Sequence, residues 1–201
     1  MIFMKKTILS LLLLASISVF SQATKEFYGK LNYAFVPHNM LNGAGYTIGY
    51  EWNTQSPVSY KIETGMLAVN RVREMNETFG DLRMKDLYYN LAQMNLAIIP
   101  TWNVVSANRL ELSAGLGFSC AYQSRIYTLS HYEYLRNIQS DLWNTVMNVD
   151  ASSAFYAGVI TSVDVKYLVS NRWQINLSTQ YQNYFKGESV ILAGIGARYK
   201  F

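Results

Sequence analysis

The chain has 201 residues, half of them apolar and 14% aromatic, with only 15% charged against the ~25% of an average soluble domain. Its formal charge of +4 includes Lys5 and Lys6; beyond them 15 basic residues meet 13 acidic ones, and no basic run or patch remains to engage nucleic acid. Cys120 is the single cysteine, which excludes an intrachain disulfide and a thiolate metal cluster.

Residues 1–23, MIFMKKTILSLLLLASISVFSQA, place a Lys-Lys pair before an apolar run from Ile8 to Phe20, with small residues at Ser21 and Ala23. The run is too short to cross a ~30 Å bilayer core as a helix and has the layout of a secretory signal peptide. Cleavage after Ser21 and cleavage after Ala23 both fit, and with no cysteine nearby a lipid anchor is not expected. The sequence therefore predicts an exported protein with one domain over 24–201 and a removable leader over 1–23.

In the remaining chain, apolar residues alternate with small or polar ones through eight segments, the period of strands. They lie near 27–36, 44–53, 58–71, 87–102, 110–124, 154–167, 173–184 and 190–201. The seventh puts Trp173, Ile175, Leu177, Thr179 and Tyr181 opposite Gln174, Asn176, Ser178, Gln180 and Gln182. The fifth sets Leu110, Leu112, Leu116, Phe118 and Cys120 against Glu111, Ser113, Gly115, Gly117 and Ser119. The fourth is the least regular, with Asn90 and Pro100 on its more apolar face, and a bulge is expected there.

The even-numbered connections are short: 53–57, 104–109 and 169–172, the last two sharing Ser-(Ala)-Asn-Arg before a strand, as if one turn were reused. Two odd-numbered connections, 72–86 and 126–152, are long. Short turns thus gather at one end with both termini and long loops at the other. An even number of antiparallel strands with this asymmetry describes an eight-stranded up-and-down transmembrane β-barrel with periplasmic turns and extracellular loops. A soluble barrel with its apolar face inward alternates equally well.

Charge parity, glycine and aromatic placement bear on that choice. Lys30, Glu51, Lys61, Glu63, Arg71, Glu111, Asp164, Lys166, Arg198 and Lys200 all fall on the less apolar strand faces. A basic residue facing lipid at the bilayer midplane costs ~2–4 kcal/mol, so a membrane barrel must segregate them inward, into a closed lumen charge network. Gly45, Gly49, Gly115, Gly117, Gly194 and Gly196 accompany them, which suits a lumen only wide enough to be filled by side chains. Tyr50, Trp52, Trp102, Tyr167, Trp173, Tyr199 and Phe201 gather at the short-turn end. Tyr46, Tyr88, Tyr122, Phe155 and Tyr181 lie towards the other. Two such girdles around an apolar band mark a membrane barrel.

The chain ends ILAGIGARYKF, with Ile191, Ala193, Ile195, Ala197, Tyr199 and Phe201 on one face. A lipid-spanning sheet must pair every strand edge, so the last strand is expected to close on the first. Here the chain resembles the small Gram-negative outer-membrane barrels of the OmpA/OmpX type. That resemblance implies that Tyr199 and Phe201 form a C-terminal signal for the barrel-assembly machinery, and that the partners are outer-membrane lipid and lipopolysaccharide.

Chemistry is sparse. His38 and His131 both fall on the predicted extracellular side, the second beside Glu133. Neither comes with the nucleophile, base and orienting group of a hydrolase or with metal-ligand spacing, so no catalytic, metal or cofactor residue is assigned. Glu51 and Lys61 face each other across the second hairpin and are expected to pair. In the loop over 126–152, Leu135, Ile138, Leu142, Val146 and Val149 recur at intervals of three and four, which predicts an amphipathic helix. Its surface, with Tyr132, Leu135, Ile138, Leu142, Trp143 and Val146, is the candidate contact for an extracellular partner. The function expected is structural or interactive, through the extracellular loops; a barrel enzyme acting on lipid or peptide and a narrow solute pore are the rivals.

Overall fold

The computed structural model describes residues 24–53, 57–75, 77–137 and 142–201; the predicted leader lies outside them. Among the described residues ten strands form: β1 (Thr24–Val36), β2 (Leu41–Asn53), β3 (Val58–Arg73), β4 (Thr78–Phe79), β5 (Leu82–Met84), β6 (Leu87–Ala107), β7 (Leu110–Asn137), β8 (Leu142–Leu168), β9 (Trp173–Tyr184) and β10 (Val190–Lys200). Each of the eight alternating segments lies within one long strand, except that Phe201 falls one residue past the end of β10. These eight pair antiparallel with their neighbours in chain order, and β10 closes on β1 from Glu26↔Lys200 to Phe35↔Ile191. The result is an eight-stranded ring.

The registers fix its geometry. From Phe35, the row of paired residues passes through Asn42, Asn70, Asn90 and Ile126 to Ala151 on β8. In the other direction it passes through Ile191 and Tyr181 to Thr161, also on β8. The row thus misses itself by ten residues, which inclines the strands about 40° to the barrel axis.

The faces follow the alternation. Along β9 every second residue is buried, and Trp173, Ile175, Leu177 and Tyr181 stand exposed. Phe118 and Phe155 are 76% and 80% exposed, while the charged face of each strand turns inward. A soluble apolar-in barrel is therefore excluded: the wall presents hydrocarbon to its surroundings and keeps charge inside. Both aromatic girdles stand on the outer face, with Trp173, Tyr199 and Phe201 in edge-to-face contact at the short-turn end.

The interior has two halves. Towards the short turns it holds the charged residues. Towards the mouth, Ala34, Val36, Leu41, Leu67, Val69, Leu91, Val190 and Leu192 form an apolar cluster. Beside it, Gln93, Gln123, Gln182 and Tyr184 hydrogen-bond to one another. Glycine makes room where the packing is closest: a Cβ on Gly49 would enter the ring of Tyr28.

Three local expectations need correction. The β6–β7 register runs unshifted past Asn90 and Pro100 and slips only at Val104, between Asn103↔Ser113 and Val105↔Leu112, so the bulge lies at the turn. The two Ser-(Ala)-Asn-Arg turns differ: Asn108 turns the first with φ 47°, whereas Ser170 Oγ caps the second by accepting from the Trp173 N–H. The third concerns the long loops. Residues 78–84 form the small hairpin β4–β5, and β5 pairs with β7. Among the described residues the predicted helix does not form: β7 and β8 run on as paired strands from Tyr127↔Asp150 to Asn137↔Leu142. Bulges between Thr128 and Ser130 and between Leu135 and Asn137 each add a residue on β7, while Val146 and Val149, three apart on the regular strand β8, simply lie on its two opposite faces.

Candidate functional site

The lower lumen brings together residues far apart in sequence. Lys30 Nζ lies 2.9 Å from Glu63 Oε1, which also accepts from the Tyr28 hydroxyl at 2.6 Å, while Gln180 donates to Glu63 Oε2 at 2.6 Å. Lys61 donates to Asp164 at 2.6 Å and Lys166 to Glu51 at 3.0 Å. Arg198 donates to Glu51 and, at 3.3 Å, to Glu26, and its guanidinium lies 4.1 Å from the centre of the Tyr28 ring. The expected neighbours Glu51 and Lys61 are 3.9 Å apart, with Lys166 and Arg198 closer to Glu51.

Four cations (Lys30, Lys61, Lys166, Arg198) thus meet four carboxylates (Glu26, Glu51, Glu63, Asp164), all buried. Charges so far from water persist only when paired and hydrogen-bonded; here each makes at least one such bond, and Arg198 Nη2 and Asp164 Oδ1, without a hydrogen bond among the described residues, face each other at 3.9 Å. Ser113, Ser162 and Asn176, on the β7–β9 side, contribute buried polar atoms with no partner among the described residues, a wall suited to buried water. Glu111 reaches Lys166 at 3.9 Å but is partly exposed. Arg71 and Lys200 stand outside the network. Arg71 is exposed at the mouth, donating to the Asn39 carbonyl at 2.9 Å, and Lys200 makes no ion pair among the described residues.

Sequence reasoning missed Glu26 and Tyr28, which stand just after the leader where the alternation has barely begun. It also missed the mouth. There Glu188 accepts from Arg125 at 3.4 Å, from Tyr89 at 3.3 Å and from Asn39 at 3.3 Å, and Gln123 donates to its carbonyl at 2.9 Å. The short connection 185–189 is thereby tied down over the barrel.

At the other end, the Phe201 N–H donates to the Lys25 carbonyl at 2.9 Å, extending the β1–β10 ladder. Tyr199 stands between Trp173 and Phe201 on the outer face.

The six candidate contact residues of the long loop do not form one surface. Tyr132 pairs with Val146 on one face of the projecting hairpin, and Leu135 with Trp143 on the opposite face; Leu142 pairs with Asn137, and Ile138 lies outside the described residues. Val146 and Val149 also face opposite ways. Arg83, on β5, lays its guanidinium 3.9 Å from the centre of the Trp143 ring. His131 Nδ1 lies 3.0 Å from the Asp86 carbonyl oxygen, and His38 is exposed in the turn after β1. Among the described residues no three His, Cys, Asp or Glu side chains are grouped to hold a metal ion.

A closed eight-stranded ring with an apolar exterior, aromatic girdles and a charged lumen is the fold of outer-membrane β-barrels. Among solved structures, the chain is similar to a major outer membrane protein from Thermus thermophilus (12% identity, TM-score 0.53, covering 88% of this chain and 99% of that one). It is similar also to Neisserial surface protein A (10%, TM-score 0.52, 89% and 97%). A third, more distant likeness is to Ail of Yersinia pestis, solved with the heparin analogue sucrose octasulfate (12%, TM-score 0.49, 89% and 97%). No protein-family profile matches the sequence, and no curated protein matches it significantly.

Proposed function

We propose that this chain is an outer-membrane barrel that does not conduct and that acts through the surface it raises beyond the membrane. The observation that carries this reading is the filled lumen. A solute entering from the mouth meets Glu188 and its partners, then the apolar cluster, then a charge network with no net charge to spare. Outside, the β7–β8 hairpin and the attached β4–β5 pair form a sheet that stands clear of the wall and contributes nothing to closure.

On this reading the leader over 1–23 is removed during export, the β10 strand with Tyr199 and Phe201 addresses the chain to the assembly machinery, and the outer girdle meets lipopolysaccharide. Cell fractionation with boiled and unboiled gels tests the location: the protein should enter the outer-membrane fraction and change mobility on boiling. Planar bilayers test the closed lumen. Purified protein should give no reproducible single-channel steps, and a stable unitary conductance would overturn the reading.

A further inference from the structure

Beside the Glu188 group the mouth opens into a cavity of about 300 Å³, whose walls include Asn39, Arg71, Arg73, Leu87, Tyr89 and Tyr127. The registers place these residues. Val69 is buried in the apolar cluster, and Arg71 and Arg73 continue the same face of β3 upwards. Tyr89 stands opposite Arg71, and Leu87 opposite Arg73; Tyr127 in turn stands opposite Tyr89. Neighbouring strands lie ~4.8 Å apart, so one row carries a guanidinium and two phenol rings across about 10 Å.

The positive charge in this cavity has no partner acid. Arg71 donates only to the Asn39 carbonyl, at 2.9 Å, and Arg73 makes no hydrogen bond or ion pair among the described residues. No acid lines the cavity, and the two acids bonded to its tyrosines are engaged with other groups or turned away from it. Glu188 is held by Arg125 at 3.4 Å, and Asp150 lies across the β7–β8 hairpin from Tyr127.

The aromatic wall is ordered in advance. The Tyr89 and Tyr127 rings lie 6.0 Å apart and within 19° of parallel. Each hydroxyl is already bonded, Tyr89 to Glu188 at 3.3 Å and Tyr127 to Asp150 at 2.5 Å. Rings fixed in this way lose little freedom when a ligand arrives. With their hydroxyls engaged they present flat apolar surface, which takes an aromatic ring better than a sugar whose own hydroxyls need partners.

We infer that this cavity binds a small aromatic carboxylate, with its carboxylate between Arg71 and Arg73 and its ring system against Tyr89 and Tyr127. Guanidinium forks match a carboxylate in shape as well as charge. The row sets the size, since a fused two-ring acid spans about the same 10 Å. The inference rests on the closed-lumen reading, because a site above a sealed barrel retains what a pore would pass on.

The test is equilibrium dialysis of 2-naphthoate against the whole barrel in zwitterionic lipid nanodiscs, with empty nanodiscs subtracting uptake by lipid. Binding should be saturable at one site per barrel. The uncharged 2-naphthamide should bind at least about tenfold more weakly, and R71A/R73A should weaken 2-naphthoate to the same degree. R172A, at the opposite end of the barrel, should leave binding unchanged. Y127F, which keeps the ring, should bind as the parent does, whereas Y127L should bind several-fold more weakly. A mobility shift on boiling verifies that each variant is folded. Absence of saturable binding, or undiminished binding to R71A/R73A, would overturn the inference. Equal affinity for decanoate would make the occupant any amphiphilic anion, and tighter binding of galacturonate would make it an acidic sugar; either result overturns the aromatic assignment. Equal losses in Y127F and Y127L would trace the effect to the Asp150 contact and overturn the stacking. A unitary conductance in planar bilayers would break the closed-lumen reading instead, so the two failures are told apart.

Discussion

The two halves of the lumen solve the same packing problem with opposite chemistry. Near the short turns, buried charges hold each other across the barrel: Lys61 of β3 reaches Asp164 of β8, and Arg198 of β10 reaches Glu51 of β2. Near the mouth, Leu41, Val69, Leu91 and Val190 do so by contact alone. The charged half specifies which strands face each other, since a wrong register would strand a charge. The apolar half has no such selectivity. A buried ion-pair network is costly to build and costly to break, whereas apolar packing loses stability in proportion to the volume removed.

Removing one carboxylate should therefore do the most damage. Glu51→Ala leaves Lys166 and Arg198 without their nearest acid, and breaking a buried pair costs about 3–5 kcal/mol. Urea unfolding of the micelle-refolded protein should show a lower midpoint, and Glu51→Ala with Lys166→Met should recover part of it. A full-strength loss persisting in the double variant would mean that the charges are not acting as pairs. In the apolar half, Leu41→Ala should cost about 3 kcal/mol by leaving a cavity, with no dependence on the charged residues. Gly49→Ala forces a Cβ into the Tyr28 ring and should cost about 1–3 kcal/mol. Adding Tyr28→Ala should make the glycine change much cheaper, a non-additivity that a double-mutant cycle reads directly. Arg71→Ala and Lys200→Ala, outside both halves, should each stay within about 0.5 kcal/mol of the parent.

Much of the barrel was legible because a strand with lipid on one side and a lumen on the other must alternate; burial along β9 does so from Trp173 to Tyr184 without exception, and the sequence follows it until Asn183 and Tyr184. The division of the lumen was not. Val36, Leu41, Val69 and Leu91 sit on the polar faces of their strands, where an apolar residue reads as noise until closure brings them together. The charge network was legible as a set but not as pairs, since Lys61 to Asp164 and Arg198 to Glu51 join strands that are not neighbours. The projecting hairpin reads as a helix for a definite reason: both of its faces carry apolar residues, so Leu135, Val146 and Val149 fall at helical spacing although they belong to two faces of a sheet.

The closing register carries a consequence for how the barrel is made. Every other wall contact joins strands that follow one another along the chain, whereas Glu26↔Lys200 joins residues separated by about 170 positions and must overcome the largest loop entropy in the molecule. Until that seam forms, β1 and β10 each present an open edge that hydrocarbon cannot satisfy. Insertion and closure are therefore one event. The rate of appearance of the folded barrel should be set by the meeting of the first and last strands, not by the speed of any hairpin between them.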